Sequence, residues 1–213
     1  MVFGVSLNPF VSIKLRTLAA SNRAITAVCF DVFGTLVRYN GQRVNPYRRL
    51  VTVEPGEQAE RMPFLTRNIP VDVFADELGL SHLVPVIRRE LDTEIAGLQL
   101  FLEVELALRK LRATGKRIAV CSNLAHEYGQ VVRRLLPNFD CYVLSYEVGA
   151  AKPDPAIYAA VCESLGSRPR DVLFIGDSKR CDFRGPQAFG MQARWLDRHG
   201  GQTLMDVLKG VIA

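Results

Sequence analysis

The chain has 213 residues, 48% of them hydrophobic and 23% charged, and a net charge of +5 at pH 7. This is enough for one main core with an insertion, and the composition excludes a disordered or low-complexity protein. The longest apolar runs, such as RIAVCSN and DVLFIGD, are strand-sized and far short of the roughly 20 residues of a membrane-spanning helix, so no membrane partner is expected.

Lysines and arginines are scattered along the chain, with small concentrations at RVNPYRR and RKLRATGKR. A basic balance attracts phosphorylated ligands or nucleic acid. The aromatic interleaving and the helix-turn-helix or finger patterns of nucleic-acid readers are missing, so no nucleic-acid partner is expected. Cys29, Cys121, Cys141, Cys162 and Cys181 are odd in number, widely spaced and mostly inside apolar segments, which suits buried reduced thiols and a cytoplasmic protein.

Residues 1–24 contain no acidic side chain and include Lys14, Arg16 and Arg23. They lack the order of a signal peptide and read as an N-terminal arm, with an upstream start codon or an organelle transit peptide as alternatives. From Ile25 the chain alternates short apolar strands, ITAVCF, RIAVC, CYVLS, DVLFIG and ARWLD, with amphipathic helices. Near-continuous apolar strands between helices specify an α/β fold with a parallel sheet covered on both faces.

Between the first two strands lies an insertion, Arg38 to Leu100, too long for a simple crossover. VDVFADELGL and HLVPVIRRELDTEIAGL within it read as helices and TVEPGEQ and RNIPVD as turns, so residues 38–100 are expected to form a small helical cap over the carboxyl edge of the sheet. The core is expected from residues 25–37 and 101–213. EVELALRKLRATG predicts a helix with Val104, Leu106, Leu108 and Leu111 on its apolar face and Gly115 closing it. DPAIYAAVCESLG predicts a helix capped by Asp154, with Pro155 at its first position.

Ligands of such sheets bind outside the carboxyl ends of the strands. The first strand ends in Asp31, the second in Ser122 and Asn123, and the fourth in Asp177 with Asp182 one helical turn later; Lys152 lies in the loop GAAKPDP. Singly, each has a structural explanation as a cap or a turn residue. Together they gather carboxylates, a hydroxyl and an amine at one edge.

The ordered motifs FDVFGTL, CSN, AKPDP and IGDSKRCD resemble those of the haloacid dehalogenase-like (HAD) hydrolase superfamily, over nearly the whole chain from Ile25. The resemblance implies a Rossmann-like core with a helical cap inserted after the first motif. It implies Asp31 as the nucleophile that forms an aspartyl ester, and Mg²⁺ held by Asp31, Asp177, the backbone carbonyl of Phe33 and Asp182. Thr35, Ser122 and Asn123 would bind a phosphorylated small-molecule substrate, and Lys152 would offset negative charge. The oligomeric state stays open between monomer and homodimer.

Phe33 departs from the pattern of the family's phosphatases, most of which have a second aspartate there as general acid and base. Losing such a group typically costs 10² to 10⁴ in rate. Glu54, Glu57 and His126 are candidate replacements. An aromatic residue at this position resembles the family's metal-independent haloacid dehalogenases, whose halide leaving group needs no proton, but those carry an amide where this chain has Asp177. Asp177 beside Asp31 asks for a cation. The lead expectation is therefore a Mg²⁺-dependent phosphohydrolase, with a 2-haloacid dehalogenase and a binding module without turnover as alternatives.

Overall fold

The protein, seen as a computed structural model, is described over residues 25–41, 43–50 and 63–212. The N-terminal arm, the TVEPGEQ turn, Glu54 and Glu57 lie outside the described residues. In chain order come β1 (Ala27–Phe30), β2 (Val37–Tyr39), α1 (Val71–Glu77), α2 (Val84–Ala96), β3 (Leu98–Leu100), α3 (Val104–Ala113), β4 (Arg117–Ser122) and α4 (His126–Leu135). There follow β5 (Cys141–Leu144), α5 (Ser145–Val148), α6 (Pro155–Leu165), β6 (Val172–Gly176), α7 (Gly185–Phe189), β7 (Gln192–Trp195) and α8 (Leu204–Val207).

Five strands form one parallel sheet in the order β5-β4-β1-β6-β7. All four residues of β1 are buried, because each face of the sheet is covered. Val28 and Phe30 point into an apolar cluster with Leu111 of α3, Val132 of α4 and Leu204 of α8. Ala27 and Cys29 point the other way, to Ile157, Tyr158 and Leu165 of α6. Burying a side chain the size of Phe30 contributes about 2–3 kcal/mol, so this central strand is anchored from both sides.

The sheet pattern also locates the site. β1 is flanked by β4 and β6, so the strand order reverses there and a crevice opens at the carboxyl ends of these three strands.

The local helix signals hold. Asp154 caps α6 by accepting the Ala156 N–H at 2.9 Å, and Gly166 closes it in the left-handed conformation. In α3 the buried face is Val104, Ala107, Leu108 and Leu111; Leu106 is exposed, a correction to the apolar pattern, because it lies one residue off the inward stripe. The insertion contains α1 and α2 as expected, and Phe74, Ala75, Ile87 and Leu91 join the same cluster as the α3 and α4 side chains.

Two short strands were not anticipated. β2 and β3 pair antiparallel at the ends of the insertion, Val37 opposite Leu100 and Tyr39 opposite Leu98. They hold the entering and leaving chains side by side. All five cysteines are free thiols, and among the described residues no helix is long and apolar enough to cross a membrane.

Candidate active site

Asp31 directly follows β1, and its N–H still donates to the Ile175 carbonyl at 2.9 Å, which extends the β1–β6 ladder by one residue. The chain then turns sharply: the N–H groups of Leu36 and Val37 both donate to the Val32 carbonyl at 2.8 Å, with Gly34 at φ +80°. This turn points Thr35 back, so that its hydroxyl donates to Asp31 Oδ2 at 3.2 Å. Ser122, the last residue of β4, donates to Asp31 Oδ1 at 3.2 Å.

Lys152 closes the group from the opposite wall. Its Nζ donates to Asp31 Oδ1 at 2.7 Å and to Asp182 Oδ1 at 2.6 Å, and the residue is only 2% exposed. Asn123 fixes its backbone: Lys152 N–H donates to Asn123 Oδ1 at 2.7 Å and Asn123 Nδ2 donates to the Lys152 carbonyl at 2.9 Å. Asp182 is buried too, with its Oδ2 accepting the Ser178 N–H at 2.9 Å. β6 ends in Gly176 because a Cβ there would sit 2.4 Å from Asp182 Cγ.

Burial alone would push the Lys152 ammonium down, but Asp182 and Asp31 more than reverse this and hold it well above its usual range. Oxygen atoms of Asp31, Asp177 and Asp182 lie within 4.8 Å of one another. Three carboxylates against one ammonium leave a surplus of negative charge. Accordingly, the loss of water around it and then the charge of Asp31 push Asp177 up to about 6, although one side of it is open to solvent. Burial, with Asp31 adding and Lys152 opposing, likewise pushes Asp182 up to about 6. A set of hard oxygen donors with excess negative charge fits a divalent cation such as Mg²⁺.

A family model described as haloacid dehalogenase-like hydrolase matches residues 25–190, which include every one of these side chains. The chain belongs to the haloacid dehalogenase-like hydrolase family. It is 29% identical over 205 residues to Phosphatase MT3486 of Mycobacterium tuberculosis (strain CDC 1551 / Oshkosh), covering 87% of this chain and 93% of that one. It is 32% identical over 141 residues to Haloacetate dehalogenase H-2 of Moraxella sp. (strain B), covering 58% of this chain and 61% of that one, so it spans less than two thirds of that relative. The HAD family enzyme BT-2542 of Bacteroides thetaiotaomicron, solved with magnesium and inorganic phosphate, superposes with a TM-score of 0.63 at 21% identity over 82% of this chain and 95% of that one. At that identity the likeness speaks for the fold alone.

Every HAD candidate side chain taken from the motifs therefore lies in or beside one cluster at the carboxyl ends of β1, β4 and β6. Phe33 does so as well, half-buried, its ring stacked on Tyr39 at 5.5 Å and edge-on to Tyr128 at 5.7 Å. His126 turns aside: its Nδ1 pairs with Asn68 Oδ1 at 2.9 Å and its ring meets Tyr146.

Two supporting residues were missed. Ser145, the residue directly after β5, braces the segment after Ser122, accepting the Leu124 N–H at 3.0 Å and donating to the Leu124 carbonyl at 3.2 Å. It is a polar residue at a strand end, the same signal that found Asp31. Arg198 donates to the carbonyl of Thr35 and to Glu103, with its guanidinium 3.8 Å over the Phe101 ring, so it ties the Asp31 turn to the chain after β7. Nothing in the sequence LDRHGG distinguishes it from a solvent loop.

Gly34 gives a direct test of the turn. A Cβ there would lie 2.2 Å from Asp177 Oδ2, and the left-handed backbone adds about 1–3 kcal/mol of strain for a non-glycine residue. Gly34→Ala is expected to lower stability by that amount in a denaturant titration and to displace the Asp177 carboxylate, reducing activity at least tenfold. Native stability with native activity would contradict the turn's role.

Proposed function

We propose that this HAD hydrolase is a Mg²⁺-dependent phosphohydrolase acting on a small phosphorylated metabolite through an aspartyl-phosphate at Asp31. The observation that carries this is the retention of Asp177 at the edge of the Asp31–Asp182 pair, a third carboxylate that Lys152 alone does not balance. Asp31, Asp177, Asp182 and the carbonyl of Phe33 would hold the ion. When bound, Mg²⁺ would neutralise the phosphoryl and carboxylate charges and so let an anionic substrate approach an anionic nucleophile.

The side chains supply the rest. Asp31 presents an oxygen at the end of a rigid central strand, already oriented by Thr35, Ser122 and Lys152, as an in-line nucleophile requires. Ser122 and Asn123, at the β4 end, are placed to meet phosphoryl oxygens, and Lys152 keeps a positive charge beside them. Residues 38–100 act as the cap that closes over the substrate, with residues 25–37 and 101–213 as the core. The likeness to Phosphatase MT3486 supports this choice. The proposal goes with a cytoplasmic protein, monomeric or homodimeric, that handles small molecules rather than nucleic acid or membranes.

A second reading rests on Phe33. An aromatic residue there and the likeness to Haloacetate dehalogenase H-2 favour displacement of a halide from carbon by Asp31. The surplus of carboxylates opposes it, since that chemistry has no use for a cation.

The test is phosphate release from p-nitrophenyl phosphate with Mg²⁺ and with chelator, beside chloride release from 2-chloropropionate. Metal-dependent phosphate release supports the proposal, and chelator-insensitive chloride release overturns it.

The raised carboxyls add a pH signature. Asp177 and Asp182 are up at about 6 in the folded chain against an ordinary value near 3.9. The folded state therefore holds protons that the unfolded chain has released. Their contribution favours the fold fully below about pH 4 and is lost as pH rises through about 6. Mg²⁺ competes with those protons, so it is expected to raise the melting temperature clearly at pH 8 and barely at pH 5. An equal shift at both pH values, or none at either, would contradict the site.

A further inference from the structure

The Phe33 ring lies in the wall of a cavity of about 80 Å³ whose other aromatic walls are Tyr39, Tyr47, Phe64 and Tyr128. Asn123 and Leu124, which directly follow Ser122, also line it, so the cavity abuts the Asp31–Ser122 pair. Several of its polar groups are engaged. Glu94 is buried and accepts from Val44 N–H at 3.1 Å, Asn45 N–H at 2.8 Å and the Tyr128 hydroxyl at 3.1 Å. The Tyr47 hydroxyl donates to Glu127.

Among the described residues, none of the lining side chains is set to protonate a departing alkoxide. Phe33 has no proton to give, Glu94 acts as acceptor to three donors, and burial pushes the hydroxyls of Tyr39, Tyr47 and Tyr128 up, so they hold their protons harder than a free phenol. What the cavity does offer is aromatic edges and a cation. The Arg43 guanidinium lies 5.1 Å from the Tyr39 ring centroid and lines the same space.

Resting on the phosphohydrolase proposal, we infer that the substrate class is the aryl phosphate: a phosphate monoester of a single-ring phenol, its ring set against the edges of the stacked Phe33–Tyr39 pair and of Tyr128 at the mouth of this cavity and its oxygen departing as a phenolate. A ring packed edge-to-face against these side chains gains attraction beyond its burial. A phenol ionises near 10, some five units below an alcohol-like oxygen, so its phenolate leaves without a proton donor where an alkoxide cannot.

The steps balance. An Asp31 oxygen forms a bond to phosphorus while the phosphorus–aryl oxygen bond breaks, and that electron pair leaves on the phenolate. Water then attacks phosphorus, the bond to Asp31 breaks with its electrons returning to the carboxylate, and both protons of the water finish on dihydrogen phosphate. The first half needs no group at position 33; the second proceeds without a base there and is the slower of the two.

The test compares p-nitrophenyl, phenyl, ethyl and acetyl phosphate with the native protein, Phe33→Asp and Tyr39→Leu. In the native protein kcat/KM is expected to fall at least about 100-fold from the aryl esters to ethyl phosphate, the lower end of what a general acid supplies. Acetyl phosphate, with an acidic leaving group but no ring, should be turned over with a KM at least tenfold above that of p-nitrophenyl phosphate. Phe33→Asp should restore ethyl phosphate turnover, and Tyr39→Leu should raise KM for the aryl esters alone. A flat series, or equal KM values for the acetyl and aryl esters, overturns the aryl assignment while leaving the phosphohydrolase intact. No phosphate from any ester removes the phosphohydrolase proposal itself.

Discussion

Replacing Asp31 by asparagine is expected to abolish phosphate release, by at least about 10⁴-fold, while leaving the protein folded. The amide has the shape of the carboxylate, and its oxygen can still accept from Lys152 and Ser122, which now donate to Asp31 at 2.7 and 3.2 Å. It cannot serve as the attacking oxyanion, and enzymes that lose their covalent nucleophile fall by factors of this order. The fold should tolerate the change because it removes one negative charge from a cluster of three. Steady-state phosphate release and a thermal melt decide it. An Asp31→Asn protein that turns over at the native rate, or one that does not fold, would each count against the role given to this residue.

Lys152→Met should be damaging in a different way. Lys152 bridges two buried carboxylates, Asp31 at 7% exposure and Asp182 at 1%. Methionine fills much of the volume but strands both charges, and breaking a buried pair by removing one partner costs about 3–5 kcal/mol. The loss should depend on pH. Without the ammonium, Asp182, already up at about 6, is pushed further and takes a proton at low pH, so stability is regained below about pH 5 and falls as pH rises through neutrality. Denaturant unfolding at pH 5 and pH 8 measures this, and activity should fall by about 10²–10⁴ as the charge beside the phosphoryl group is lost. A Lys152→Met protein as stable as the native one at pH 8 would mean that the ion-pair geometry is not what holds this edge together.

Both residues were legible in the sequence for a physical reason. A strand buried on both faces must be apolar throughout, so the polar residue that ends it stands out; β1, β4 and β6 each announced their contribution in this way. Helix α6 was legible because its cap is local, Asp154 and Ala156 being two residues apart. The β2–β3 pair was not, since each strand is three residues long and the partners lie about 60 residues apart, with only one fully buried side chain in each. The aromatic cavity was hidden more deeply. Tyr39, Phe64 and Tyr128 come from separate segments, and each alone reads as ordinary core. What Phe33 lacks was visible from the sequence; what surrounds it needed the fold.

The lack of a base at position 33 bears on the second half of the reaction as well, because water attacking the aspartyl-phosphate has no carboxylate there to receive its proton. The intermediate should therefore accumulate. Acid quenching of the native protein during turnover of p-nitrophenyl phosphate with Mg²⁺, followed by peptide mass spectrometry, should find a phosphoryl group on the peptide that contains Asp31, and none in Asp31→Asn. Turnover with Asp31 left unmodified, or a phosphoryl group carried on any other side chain, would contradict covalent catalysis by Asp31.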